Sequence, residues 1–279
     1  MSTPVEIQVD NLYKVFGKQN KKKALKLAQE NVSKVELLKK TGCVLALQDI
    51  NLKINKGETF AVIGLSGCGK STLIRHINRL LDPDSGTITI QGQNILELKQ
   101  KDLLKYRQNK ISMVFQHFAL LPHWNVEDNV AYGLFIKHKS KAEAKQAVAP
   151  WLKKVGLYEY RDKYPDQLSG GMLQRVGLAR AFSVDADIIL MDEPFSALDP
   201  IIRKNMQKLL NSWQSELNKT IVFITHDIDE AFSLGDKIAV LRASRVEQVG
   251  TSEELIDNPQ TEYVERFVSA GYKGMNNEA

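Results

Sequence analysis

The chain has 279 residues, 43% hydrophobic and 25% charged, with a formal net charge of +5. That is apolar material for one or two packed domains, and it excludes a disordered chain, a collagen repeat and a small disulfide scaffold. The excess charge is local: eight lysines (Lys18, Lys21, Lys22, Lys23, Lys26, Lys34, Lys39, Lys40) stand against only Glu30 and Glu36, so the remainder is near neutral and no nucleic-acid partner is expected.

In chain order, Val5, Ile7 and Val9 alternate with Glu6 and Gln8, and Ile50, Leu52 and Ile54 alternate with Asn51 and Lys53, which predicts half-buried strands of an antiparallel sheet. Between them the lysine-rich segment, about 18–44, reads as a helical excursion, because Leu25, Ala28, Val32, Val35 and Leu38 recur at helical spacing. Ser33 with Glu36 gives a capping-box pattern, and Gly42 a stop. Short, continuously apolar runs follow at Phe60 to Ile63, Ile111 to Phe115, Ile188 to Met191, Ile221 to Ile224 and Ile238 to Leu241, as expected for strands buried on both faces of a parallel sheet. About residues 117–185 form a mostly helical tract set into that pattern, so the expected class is α/β. Cys43 and Cys68 cannot make a framework, and no spacing predicts zinc. The first residues lack a signal-peptide pattern and no apolar run is long enough to span a bilayer, so a cytosolic location is expected.

The strongest chemical signal is Gly64, Leu65, Ser66, Gly67, Cys68, Gly69, Lys70, Ser71, Thr72, which satisfies GxxxxGK[ST] between an apolar strand and a helical pattern from Leu73 to Leu81. Glycines let backbone N–H groups converge on phosphate oxygens, Lys70 reaches the β- and γ-phosphates, and Ser71 ligates Mg²⁺. Asp192 and Glu193 end another buried run: Asp192 is suited to hold Mg²⁺ or its water, and Glu193 to orient or deprotonate the attacking water. Guanine specificity is not expected, since Asn218-Lys219-Thr220-Ile221 lacks the aspartate of NKxD. Ser169, Gly170 and Gly171 head a helical stretch and make a second anion-binding helix start.

With these motifs in place, the chain resembles the ATP-binding subunits of ABC transporters over about residues 5–270. Gly64 to Thr72 is similar to the Walker A motif, Gln116 to the Q-loop, Leu168 to Met172 to the LSGGQ signature and Ile188 to Glu193 to Walker B. Ser196 to Asp199 resembles the D-loop, and His226 the switch histidine. The resemblance implies a single P-loop NTPase domain with a RecA-like core, an antiparallel β-subdomain and an inserted helical subdomain. Its cofactors would be ATP and Mg²⁺. Glu193, His226, Lys70 and Gln116 would act in catalysis, and Ser71, Gln116 and Asp192 at the metal. Nucleotide would be held by the whole loop from Gly64 to Thr72, by Ser169, Gly170, Gly171 and Asp199, and by an adenine-stacking aromatic, Phe16, with Tyr13 in reserve.

Met172 replaces the signature glutamine, and phosphate contact is expected to survive because Ser169, Gly170 and Gly171 remain. This methionine, the lysine-containing excursion before Lys40-Thr41-Gly42, and the strings FALLPH, FSALDP and THDIDEA resemble the glycine betaine/proline importers. Many of these continue into CBS domains, which this chain, ending at Ala279, is expected to lack. The implied function is the ATPase motor of a compatible-solute importer at the cytoplasmic face of the membrane. Two copies would pair head to tail beneath permease subunits served by a solute-binding protein. The apolar run Phe115, Phe118, Leu120, Leu121 and Trp124 is a candidate permease contact. The alternatives are a soluble ABC ATPase of DNA repair or translation, whose long coiled coil or doubled cassette is not seen, and an importer of histidine or another amino acid.

Overall fold

In the computed structural model, which describes residues 4–275, β-branched and alternating apolar runs form ten strands, and the more polar stretches between them form eleven α-helices. In chain order these are β1 (Val5–Phe16), α1 (Lys21–Gln29), α2 (Lys34–Thr41), β2 (Val44–Asn55), β3 (Thr59–Ile63), α3 (Lys70–Ile77), β4 (Ser85–Ile90), β5 (Gln93–Asn94), α4 (Gln100–Asn109), β6 (Ile111–Val114) and α5 (Val126–Ile136). There follow α6 (Lys141–Lys154), α7 (Gly170–Ser183), β7 (Ile188–Asp192), α8 (Pro200–Leu217), β8 (Thr220–Thr225), α9 (Ile228–Leu234), β9 (Lys237–Arg242), β10 (Arg245–Gly250), α10 (Ser252–Asp257) and α11 (Glu262–Met275). Two compact units divide the described residues, one of 4–98 and 224–275 and the other of 99–223.

In the first unit β2, β1, β4 and β5 form an antiparallel sheet in that order, with Leu12 opposite Ile50 and Phe16 opposite Val44. The alternation seen in the sequence keeps Ile7, Val9, Leu52 and Ile54 in the core. β3 pairs in parallel with β9, Ile63 opposite Val240, and β10 returns antiparallel to β9. All five residues of β3 are buried, as its uninterrupted apolar run requires.

The lysine-rich segment folds as two helices rather than one continuous periodic face. Asn31 takes a left-handed backbone (φ 61°) and Ser33 restarts the helix by accepting a hydrogen bond from the Glu36 N–H at 3.2 Å. The other half of the expected capping box is not formed, because the Glu36 carboxylate pairs with Lys40. Gly42 closes α2 at φ 69°. The break shifts the helical phase, so Leu37 enters a core with Tyr13, Val15, Ala24, Ala28, Cys43 and Leu45, while Val35 (65% exposed) and Leu38 lie at the surface. Replacing Leu37 with Ala is therefore expected to cost about 2–5 kcal/mol. Val35→Ala should stay within about 0.5 kcal/mol. Denaturant midpoints of the two variants check this phase directly.

In the second unit β6 and β7 pair in parallel, Ile111 opposite Ile188 and Val114 opposite Met191. Helices α5, α6 and α7 occupy the tract expected to be helical. Trp213 of α8 packs edge to face on Trp151 and Phe182, with centroids 5.3 and 4.7 Å away, and those two rings lie tilted at 5.7 Å. Among the described residues no helix is long and apolar enough to cross a membrane.

Candidate functional site

The first unit carries the phosphate loop. β3 delivers the chain at Ile63, and the loop runs through Gly64 (φ 149°), Gly67 (φ 76°) and Gly69 (φ 113°) into α3. Successive turns of this kind build an anion-binding concavity from backbone N–H groups. Lys70 is 5% exposed, and its Nζ donates to the carbonyls of Gly64 at 2.6 Å and Leu65 at 3.2 Å, which holds the cation against the loop. A Cβ on Gly67 would meet nothing within 4 Å, so the space beside the loop is open. A buried lysine, a helix start and an open glycine face fit a nucleotide's phosphates. Cys68 is buried; burial pushes its thiol up, and the Lys70 charge pulls it partly back. Packing accounts for its position.

The two aromatics considered for adenine stand in different surroundings. Tyr13 is part of the core beneath α1 and α2, whereas Phe16 is 40% exposed, with Lys14 Nζ 5.4 Å from its ring centroid. His226 is exposed just after β8, at the foot of a braced turn. There the Thr225 hydroxyl donates to Glu230 at 2.9 Å and accepts from the Asp227 N–H at 3.1 Å.

The second unit carries the carboxylates and the signature. Asp192, 2% exposed, is the last residue of β7. Glu193 follows in a left-handed backbone (φ 48°), unusual for glutamate, and its carbonyl accepts from Ser196 N–H and Oγ at 3.4 and 3.1 Å. Gln116 Nε2 donates to Glu193 Oε2 at 3.1 Å, so two residues distant in sequence meet. Ser169 caps α7 by accepting from the Met172 N–H at 3.4 Å. Since Met172 serves that cap through its backbone, the departure from glutamine leaves the cap intact. Ser169 and Gly170 are exposed, and Asp199 caps α8 through bonds from Ile201 N at 3.1 Å and Ile202 N at 3.0 Å.

Motif reading missed the supports of the Gln116 loop. Arg180 on α7 donates to the carbonyls of Phe118 at 2.7 Å and Ala119 at 2.8 Å. Buried Asn129 on α5 brackets Leu121, accepting from its N–H at 2.8 Å and donating to its carbonyl at 3.0 Å. The available signal was one arginine inside the apolar run Val176 to Phe182, a charge that needs acceptors when the run is buried. Of the apolar run expected to meet a permease, Trp124 is packed edge to face on Tyr132 and Phe135. Phe115 lines a groove of about 420 Å³ with Leu104, Tyr132, Ile136, Arg180 and Val184. Among the described residues no cluster of three or more His, Cys, Asp or Glu residues is arranged to hold a metal. Mg²⁺ commonly takes one or two carboxylates plus hydroxyl, phosphate and water oxygens, so the Ser71 hydroxyl of the first unit and the Asp192 carboxylate of the second are each a donor type that this ion accepts.

A buried strand feeding a glycine loop and a lysine-headed helix define a phosphate-loop nucleotide-binding protein. The sequence profile of the ABC transporter family matches residues 47–196, and the chain belongs to that family. It is 48% identical over 265 residues to the glycine betaine transport ATP-binding protein OpuAA of Bacillus subtilis, covering 95% of this chain and 63% of that one. It thus spans less than two thirds of that relative's length. The trimethylamine N-oxide transport system ATP-binding protein TmoW of Pelagibacter ubique is 46% identical over 98% of this chain and 80% of its own. Among solved structures, the dimeric post-hydrolysis state of the ATP-binding cassette MJ0796 bound to ADP and Pi superposes with a TM-score of 0.75. It is 31% identical and covers 88% of this chain and 98% of that one.

Proposed function

We propose that this chain is the ATP-hydrolysing motor of an importer for a compatible solute, glycine betaine or a related quaternary amine. The identity to OpuAA and TmoW, named as ATP-binding proteins of glycine betaine and of trimethylamine N-oxide transport, supports the substrate class. The phosphate loop and the Gln116–Glu193 pair support the hydrolytic role. In this reading the loop from Gly64 to Thr72 binds the ATP phosphates and Phe16 stacks on adenine. Ser71, Asp192 and Gln116 would hold Mg²⁺, whose charge would offset that of the phosphates. Glu193 receives the proton of the attacking water, Gln116 orients the Glu193 carboxylate, and His226 contacts the transferred phosphoryl group.

Two copies pair head to tail, each presenting Ser169, Gly170 and Gly171 to nucleotide held by the other; that the similar MJ0796 cassette is dimeric supports pairing as such. The motor sits at the cytoplasmic face of the membrane, where the groove beside Phe115 and Tyr132 receives the permease. A solute-binding protein delivers solute from the opposite side. The test is uptake in vesicles holding the chain with its permease and solute-binding protein. Glycine betaine, choline, proline or trimethylamine N-oxide should accumulate and stimulate ATP hydrolysis; if none does while an unrelated solute does, the substrate class is wrong. In parallel, Glu193→Gln protein should run as a dimer with Mg-ATP and mainly as a monomer without it. A mass unchanged by nucleotide counts against the pairing.

A further inference from the structure

The loop after Gln116 holds two consecutive non-glycine residues in left-handed backbone, Phe118 (φ 59°) and Ala119 (φ 49°). An L side chain disfavours that region, so the surroundings must hold the pair there. Two local bonds turn the chain, Phe118 N–H to the Phe115 carbonyl at 3.0 Å and Ala119 N–H to the His117 carbonyl at 2.5 Å. The carbonyls of the same two residues accept from the guanidinium of Arg180. Beyond them Asn129 fixes Leu121 and also donates to the carbonyls of Trp124 at 2.9 Å and Asn125 at 3.0 Å. Gln116 therefore leads a loop with one arginine anchor near its start and one asparagine anchor near its end.

We propose that Arg180 is a positioning residue for Gln116, holding the left-handed turn that sets where the Gln116 amide meets Glu193. This rests on the reading of Gln116 and Glu193 as parts of the hydrolytic machinery. The hydrogen bonds of Arg180 go to two backbone carbonyls of one loop and not to a carboxylate, although burial pulls its pKa down and makes the charge costly. A planar fork reaches two adjacent carbonyls at once, whereas a lysine ammonium is a point donor on a flexible stem. Arg180 also lies on the helix that Ser169 begins, roughly 16 Å along its axis at 1.5 Å per residue. One rigid element thus joins the signature serine to the turn beside Gln116.

The test uses the purified full chain, with ATP hydrolysis measured against ATP and Mg²⁺ concentration for Arg180→Lys, Ala119→Gly, the two combined, and Gln116→Ala. A misplaced catalytic group costs up to about 100-fold, so Arg180→Lys should lower kcat by about 10- to 100-fold. Its KM for ATP should stay within about twofold, and the Mg²⁺ concentration for half-maximal rate should rise. Glycine enters left-handed backbone without steric cost, so Ala119→Gly should restore part of the lost kcat in the lysine background and leave the parent rate nearly unchanged. An unchanged kcat in Arg180→Lys overturns the proposal, as does a loss that follows a lowered melting temperature and is not relieved by Ala119→Gly. If Gln116→Ala hydrolyses ATP at the parent rate, the underlying reading fails as well. If Gln116→Ala is slow and Arg180→Lys is not, only the role of Arg180 falls.

Discussion

Glu193→Gln should keep ATP affinity and lose turnover by about 10²- to 10⁴-fold, the usual contribution of a general base. The substitution preserves shape: a glutamine at 193 still offers an oxygen to Gln116 Nε2, which now donates to Glu193 Oε2 at 3.1 Å. The left-handed backbone at 193 and the two bonds from Ser196 to its carbonyl involve main chain only, so they too should persist. What disappears is the carboxylate's capacity to take a proton. Nucleotide titration and single-turnover hydrolysis separate the two effects, and turnover near the parent rate removes Glu193 from the chemistry.

Gly69→Ala should damage nucleotide binding more than any other single-methyl change in the phosphate loop outside Gly64. Its φ of 113° is a conformation that L side chains rarely adopt, and such strain costs about 1–3 kcal/mol. The added Cβ would also lie 2.4 Å from the Ala46 carbonyl oxygen and 2.9 Å from Leu47 Cδ2. Ala46 belongs to β2 and cannot swing aside as a side-chain tip would, so the loop must move and carry Lys70 with it. Since about 1.4 kcal/mol is tenfold in affinity, a loss of tenfold or more in ATP binding is expected. Gly67→Ala is the control, for there the φ of 76° is unfavourable but a Cβ meets nothing within 4 Å. Its cost should be about 1–2 kcal/mol, from the backbone conformation alone. Equal affinities for the two variants, measured by titration at matched stability, defeat this account of the loop.

Those two sites differ in how far sequence alone revealed them. The glycine loop is a local pattern: strand, glycines, lysine and helix follow one another in a short span, and each local preference agrees with the next. The same holds for the alternating residues of β1 and β2 and the apolar runs of β3 and β7. Glu193 was marked by its place after four apolar residues, but its left-handed backbone and its bond from Gln116 depend on neighbours distant in sequence. Arg180 was less visible still, because its acceptors are carbonyls, which carry no residue identity. In the lysine-rich segment, helical spacing set Val35 and Leu38 on one apolar face with Leu25, Ala28 and Val32. A single left-handed residue, Asn31, shifted the phase and placed Leu37 inside instead. Tyr13 and Phe16 were candidates on one short stretch of sequence, and only the packing of Leu37 and Cys43 around Tyr13 separates a core ring from an open one.

The pairing of Phe16 with Val44 has a consequence for how this part of the chain can change. Strand β1 leaves the sheet and β2 re-enters it at opposed rungs of one ladder, so the whole segment between them hangs from a hairpin tip. A short reverse turn satisfies the same two ends. Sequence in this appendage can therefore change, away from Lys21, which pairs with Asp84 at 2.9 Å, and Lys34, which donates to Ser244 Oγ at 3.1 Å, without moving the register that brings Ala46 and Leu47 against Gly69. The requirement carried by any replacement is a lid of small and apolar residues, such as Ala24, Ala28 and Leu37 provide, over Tyr13, Val15 and Leu45.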